Sequence, residues 1–309
     1  VATPPVSAAL AFAIAAALLL GASDFFAARS ARTTPALTVT RTAVAVSTLL
    51  SPMLLLLVDS QWIGRDVVIG ALSGLSMITG LMLLYRGYSV ARMGIVAPLS
   101  SVLLAAVPIV WDVINGVRPS GVASAGMALG VVALVLTSYT PGGVGSVRQG
   151  ALLGVGSGVA FGIAFTLMGD ASRAAGLMPV VVQRATGFGL LAVIGFVRRD
   201  QFFATGIGLR NAMGAGVLGL VAIGSLQLGL QRGQLGPVSV ASSQFATVAV
   251  VLSVLFNRER MRWWQGLGVG ATAVLLPSRP TPVDVFGVPT KFSPTIFYGV
   301  PTLYAALLA

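Results

Sequence analysis

One uncharged stretch of the sequence constrains the fold more than any other feature. Residues 236–256 read GPVSVASSQFATVAVVLSVLF, and the polar run Asn257-Arg258-Glu259-Arg260 follows at once. A helix needs roughly 20 apolar residues to cross the hydrocarbon core of a bilayer, and charged side chains mark the place where water begins. The stretch therefore predicts a membrane-spanning helix that ends in a polar turn.

Similar apolar runs recur along the chain. Only 9% of the residues are charged and 56% are hydrophobic, whereas soluble domains carry about 25% charged residues. The sequence thus predicts an all-α, polytopic protein of the cell membrane, of the bacterial inner-membrane type. The ten predicted spans are 7–28, 36–58, 67–89, 94–114, 119–139, 149–169, 178–197, 211–231, 236–256 and 262–277.

The chain also contains a duplication. A shift of 142 residues superposes segment 94–130 on the segment that begins at Gly236, and a shift of 143 superposes Arg41 on Arg184. We therefore predict two five-helix repeats, at 1–140 and 141–277. Because five is odd, the second repeat enters the membrane from the opposite side, and inverted repeats of this kind place a substrate site between the halves.

Several short motifs accompany this arrangement. They are GASDF at 21–25, the arginines Arg41 and Arg184, RER at 258–260 and QGLG at 265–268. Together they resemble the EamA-type members of the drug/metabolite transporter superfamily over nearly all of residues 7–276. The resemblance implies a secondary transporter, preferably an exporter, of small polar or amphipathic metabolites. The alternative from the residues alone is a non-transporting scaffold or subunit whose small-residue faces bind partner helices.

Composition excludes several other classes. The chain has no cysteine, no histidine and no phosphate-binding loop, so we expect neither enzyme activity nor a metal or cofactor. The net charge of +11 comes from arginines at the ends of apolar runs, which favours contact with membrane lipids over nucleic acid. A proton or cation gradient is the candidate energy source, and a proton would have to use a carboxylate.

Polar residues inside the spans are the candidates for substrate binding or coupling, because lipid gives them no partner. Asp24 is either a cavity carboxylate or an interfacial acid paired with Arg29. We expect two amides on one face of the eighth helix to face a wet cavity, whereas the repeated serines fit close helix packing equally well. The full set is Asp24, Tyr85, Ser100, Gln227, Gln231, Ser242 and Gln244.

A second set of charges is expected to be structural or to act in gating. Arg41 and Arg184 lie about a turn inside their helices, where an arginine either extends to the interface or binds an anion. Asp112 is expected at the interface, and Glu259 between arginines is expected to be an interfacial clamp. The set is Arg41, Arg184, Asp112, Glu259 and Arg260.

The composition changes abruptly after residue 277. Residues 278–309 are rich in proline, which interrupts helices. The segment resembles an internal fragment of benzoate-CoA-ligase-like adenylate-forming enzymes, without their phosphate loop or catalytic lysine motif. We expect a tail outside the membrane, derived from a gene fusion.

Arginines predict the orientation of the chain. Ten fall in connections on one side and four on the other, so the positive-inside rule places both termini outside; the usual family arrangement is the reverse. A reporter fused after residue 145 should be cytoplasmic and one after residue 117 external if the rule holds. The opposite pattern would establish the family arrangement.

Overall fold

The computed structural model describes residues 6–90, 93–117, 120–138, 146–257 and 263–275. Nearly all of these residues are helical, and none of them lies in a β-strand. The predicted tail at 278–309, as well as Glu259, Arg260 and the side chain of Tyr85, lies outside this described part.

The helices follow the apolar runs closely, because a backbone in lipid must satisfy its own hydrogen bonds. In the first half they are α1 (Val6–Ala31), α2 (Ala36–Leu50), α3 (Gly64–Val90), α4 (Met93–Ile114) and α5 (Gly121–Ser138). In the second half they are α6 (Val147–Asp170), α7 (Met178–Arg198), α8 (Gly206–Leu230), α9 (Leu235–Ser243), α10 (Phe245–Asn257) and α11 (Trp263–Leu275).

Two predicted spans are not regular throughout. The second continues from α2 as a 3₁₀ helix, Ser51–Leu56, with a proline in its first turn. The ninth is divided into α9 and α10 at Gln244. Just before this division the hydroxyls of Ser242 and Ser243 donate to the carbonyls of Ser239 and Val240, at 3.1 and 2.8 Å. Such side-chain donors compete with the helical pattern for the same carbonyls, which explains the local break.

Seven helical stretches among the described residues are long and apolar enough to cross a membrane. They are Ala8–Ala31, Ala36–Leu56, Gly64–Leu84, Val147–Asp170, Met178–Arg198, Gly206–Leu230 and Leu235–Phe256. Two shorter apolar helices, Leu99–Ile114 and Ser124–Leu136, accompany them. These helices indicate a multi-pass membrane protein, and the count of ten spans stays a prediction.

The two halves pack mainly on each other. Helix α1 of the first half lies against α8 and α10, and α6 of the second half lies against α3 and α4. Helix α2 likewise contacts α8, as α7 contacts α3, and α5 contacts α11. If α1 is matched to α6, α2 to α7 and α3 to α8, the contacts of one half repeat in the other: α1–α8 corresponds to α6–α3, and α2–α8 to α7–α3. Each half therefore depends on the other to form its core.

Glycine allows the closest of these approaches. A Cβ atom added at Gly158 of α6 would lie 2.5 Å from the carbonyl oxygen of Ser100 in α4, and one at Gly70 of α3 would lie 2.6 Å from the carbonyl oxygen of Pro179 in α7. Both oxygens belong to the backbone, so a side chain there would push two helices apart. Small residues at such crossings are typical of helix association in membranes.

We therefore expect Gly158→Ala to lower the free energy of unfolding by about 1–3 kcal/mol, the usual cost of overpacking. Gly189→Ala is the matched control, because a Cβ at Gly189 would meet nothing within 4 Å. Thermal unfolding of both purified variants in detergent measures the difference. Equal stability of the two variants would contradict this account of the α4–α6 crossing.

Candidate functional site

One end of the bundle is held together by three connections, which we call the clasp: residues 57–63, 171–177 and 231–234. They join α2 to α3, α6 to α7 and α8 to α9, so they come from both halves of the chain. We call the end of the bundle that carries them the clasp face. Polar contacts between the connections hold this end of the bundle together.

Backbone hydrogen bonds join the first two connections of the clasp. The N–H of Gln61 donates to the carbonyl of Ala174 at 3.0 Å, and the N–H of Leu177 donates to the hydroxyl of Ser60 at 3.0 Å. The backbone of Gly176 has a φ of +52°, and a Cβ there would lie 2.4 Å from the hydroxyl oxygen of Ser60. This turn therefore requires glycine.

Charged and amide side chains extend the clasp. The buried carboxylate of Asp66, in the first turn of α3, accepts hydrogen bonds from the backbone and hydroxyl of Ser172. Gln231 donates its amide to the carbonyls of Ser172 and Gly176, at 3.1 and 2.9 Å. Sequence reasoning missed Asp66, although an acid in the first turn of a helix was a usable signal.

Below the clasp lies an apolar plug built by both halves. It includes Leu54, Leu104 and Ala13 from the first half and Phe165 and Leu226 from the second, all buried. Because these side chains meet at the centre of the bundle, the clasp face is packed shut in this conformation.

A pocket of about 220 Å³ opens beside the clasp. Its lining residues are Val58, Arg173, Gly176, Leu228, Gln231 and Arg232. The Nε of Arg173 donates to the carbonyl of Gln231 at 2.7 Å, and the guanidinium of Arg232 lies 5.1 Å from the ring centre of Phe12. Both cations are thus held in place at the pocket.

Asp24 differs from the other predicted site residues because it is exposed and has no hydrogen bond or ion pair among the described residues. Its neighbours fix the helix around it. Ser23 donates to the carbonyl of Ala215 in α8 at 2.8 Å, and the buried ring of Phe25 packs on Phe256. Arg29 lies over the ring of Phe25, so the expected pair with Asp24 does not form.

The predicted amides of α8 and α9 are used for packing. Gln227 is fully buried and donates to the carbonyl of Met168 at 3.1 Å. Gln244 is also buried; its amide donates to the carbonyl of Gly130 at 3.2 Å and its oxygen accepts from Thr272 at 2.8 Å. In this conformation the amide nitrogen of Gln227 is bound to a backbone carbonyl, while its Oε1 is buried without a hydrogen-bond partner. Its place in a wet cavity stays a prediction, whereas Gln231 does line the pocket.

The predicted serines are buried as well. The hydroxyls of Ser100 in α4 and Ser157 in α6 lie 3.0 Å apart, and Ser242 bonds within its own helix. These contacts match the packing alternative for the serine patch. A role in substrate binding remains a prediction for these residues.

Arg41 is fixed inside the protein and does not extend to the interface. It is 1% exposed, and its Nε and Nη2 each donate at 2.7 Å, to the carbonyls of Phe202 and Gln201. Its guanidinium also lies 4.7 Å from the ring centre of Phe202. A Cβ at Gly195 would lie 2.0 Å from the guanidinium of Arg41, so Gly195 makes room for this arrangement.

Asp112 is buried between the two halves, and its predicted place at the membrane interface stays a prediction. It is 6% exposed, and its Oδ2 accepts the backbone N–H of Gly236 at 2.7 Å. Gly236 lies in the first turn of α9, where free N–H groups and the helix dipole attract a negative charge. The carboxylate of α4 therefore caps a helix of the other half, a contact that sequence alone does not show.

Arg184 is the last of the predicted structural charges that lie in the described part of the chain. Its side chain is partly exposed, and its buried Nε has no hydrogen-bond partner.

Long apolar helices in two interlocked halves indicate a multi-pass membrane protein. Residues 148–276 match the model of the EamA-like transporter family, which confirms the resemblance to that family for the second half. A solved structure described as "Crystal structure of protein" has 15% identity and a TM-score of 0.73, and the match covers 87% of this chain and 95% of that one. It shows the same fold. No curated protein matches the chain.

We expect Asp112→Ala to lower the free energy of unfolding by about 1–2 kcal/mol, as loss of a helix cap does. Asp112→Asn should cost less, since an amide oxygen still accepts the N–H of Gly236. Asp59→Ala, at an exposed position, is the control and should be close to neutral. Thermal unfolding in detergent measures all three, and equal effects of Asp112→Ala and Asp59→Ala would refute the capping role.

Proposed function

We propose that this protein is a secondary transporter of small polar or amphipathic metabolites that works by alternating access, with export as its direction. The observation that carries the proposal is the unpaired, exposed carboxylate of Asp24 within the spanning helix α1. A charge in the hydrocarbon region costs roughly 2.5–3.5 kcal/mol on insertion scales. A residue kept at such a cost serves a function, and we assign Asp24 to contact with a cationic group or a coupling proton.

The packing of the halves supports this mechanism. Contacts of α1 with α8 and of α6 with α3 are counterparts under exchange of the halves, as two inverted repeats require. The family match at 148–276 also coincides with the predicted second repeat at 141–277. In inverted-repeat transporters, one repeat rocks against the other around a fixed central site.

In the proposed cycle, the clasp is the part of the bundle that opens and closes. Opening this end would break the bond from Gln61 to Ala174 and the bonds from Asp66 to Ser172, each of which joins the two halves. These bonds are few and polar, and water can replace them when they separate. The closed clasp therefore fits one of two alternating states, with substrate entering from the opposite face.

The test is flux through proteoliposomes that contain the purified protein, with a pH gradient and a panel of small polar and amphipathic metabolites. We expect gradient-dependent flux for the wild type, and for Asp24→Asn a fall to the level of protein-free liposomes. Asp200→Asn is the matched control, because Asp200 is an exposed acid in the connection between α7 and α8, outside the clasp, and it should transport normally. Absence of flux across the panel would favour the scaffold alternative, and normal flux in Asp24→Asn would make Asp24 structural.

A further inference from the structure

Two arginines that correspond in the sequence have different surroundings in the structure. Arg41 in α2 and Arg184 in α7 are related by the shift of 143 residues that relates the halves. Arg41 donates from Nε, Nη1 and Nη2 to the carbonyls of Phe202, Leu191 and Gln201. Its charge is thus fully accounted for by the protein, and no room is left for a ligand.

Arg184 has none of these partners. Its guanidinium makes no hydrogen bond, ion pair or ring contact within the described part of the chain, and its Nε is buried. Among the described residues, its one hydrogen bond to another helix is at the backbone, where its carbonyl accepts the hydroxyl of Thr48 at 2.9 Å. The guanidinium therefore has five N–H donors available.

The surroundings of Arg184 are apolar. Residues four positions away on either side share its helical face: Val180 belongs to the plug under the clasp, and Phe188 packs on a second apolar cluster that contains Val44 and Ile78. The side chain is nevertheless partly exposed, so a small molecule can reach part of it. An arginine between two apolar clusters is held at a cost in stability.

We propose that Arg184 binds the carboxylate of the transported molecule, which makes the substrate class a small organic acid. This inference rests on the proposed transport function. A guanidinium presents a planar fork of donors that matches a carboxylate in bidentate geometry, and the partly exposed ring of Phe188 suits the hydrocarbon part of an amphipathic acid. The phosphate of an anionic lipid shares the oxyanion chemistry, and the experiment separates these two sources.

The first measurement is the thermal stability of the unliganded protein in detergent. We expect Arg184→Gln to be as stable as the wild type or more stable, because it removes a charge that lacks a partner. Arg41→Gln is the matched control and should be clearly destabilised, since it removes the donors of two part-buried carbonyls and one buried carbonyl. If Arg184→Gln lost as much stability as Arg41→Gln, Arg184 would be structural and the proposal overturned.

The second measurement is stabilisation by ligand. The probes are benzoate, succinate and phenylalanine, each compared with its amide, and separately phosphatidylglycerol. Binding to the folded state raises the unfolding temperature, so at least one carboxylate should stabilise the wild type more than its amide does. Arg184→Gln should weaken that response by roughly tenfold or more, and Arg184→Lys, which keeps the charge but not the fork, by less.

The remaining outcomes overturn the proposal. These are a response to carboxylates that persists in Arg184→Gln, no preference for any carboxylate over its amide, or an Arg184-dependent response to phosphatidylglycerol alone. The flux assay stays independent of this binding assay. Arg184-dependent carboxylate binding without flux would support the anion site and contradict transport. Flux without carboxylate binding would support transport and overturn the assignment of Arg184.

Discussion

Lipid supplies no hydrogen-bond partner, and this constraint accounts for most of the polar contacts in the bundle. Serine, threonine and glutamine side chains inside the spans donate to backbone carbonyls, as Ser30 does to Gly208 and Ser47 does to Gly216. These two bonds each join two helices as well as satisfying a donor. Against this background, a charged group without a partner inside a span is a functional candidate. Asp24 and Arg184 are two such groups in the described part of the spans.

The most demanding of these contacts cross between the halves. Asp112 of the first half caps α9 of the second, and Arg41 binds carbonyls of the connection between α7 and α8. Both are charge-assisted hydrogen bonds, which are stronger than bonds between neutral groups. They hold parts of the two halves in register.

The helices could be predicted from the sequence, and most of the partners could not. The predicted spans 178–197 and 94–114 lie within a residue of α7 and α4, because apolar length is a local property. The partner of Asp112 is 124 positions away, and no periodicity encodes such a contact. The same limit applies to Gln227, whose amide nitrogen meets a carbonyl of α6. The local hydrophobic pattern therefore predicts the spans. Tertiary packing determines which polar side chains are bound by the protein and which remain available to a ligand.

The interlocking of the halves also bears on how the protein is made. Helix α1 obtains its main partner, α8, only late in synthesis: the carbonyl that Ser23 binds, at Ala215, follows it by 192 positions. At 5–20 residues per second this corresponds to roughly 10–40 seconds. During that time α1 lies in the membrane with its serine hydroxyls unmatched, and the lipid or the insertion machinery must hold it there. The bundle can close only when the second half has been inserted, so assembly of this protein is post-insertional.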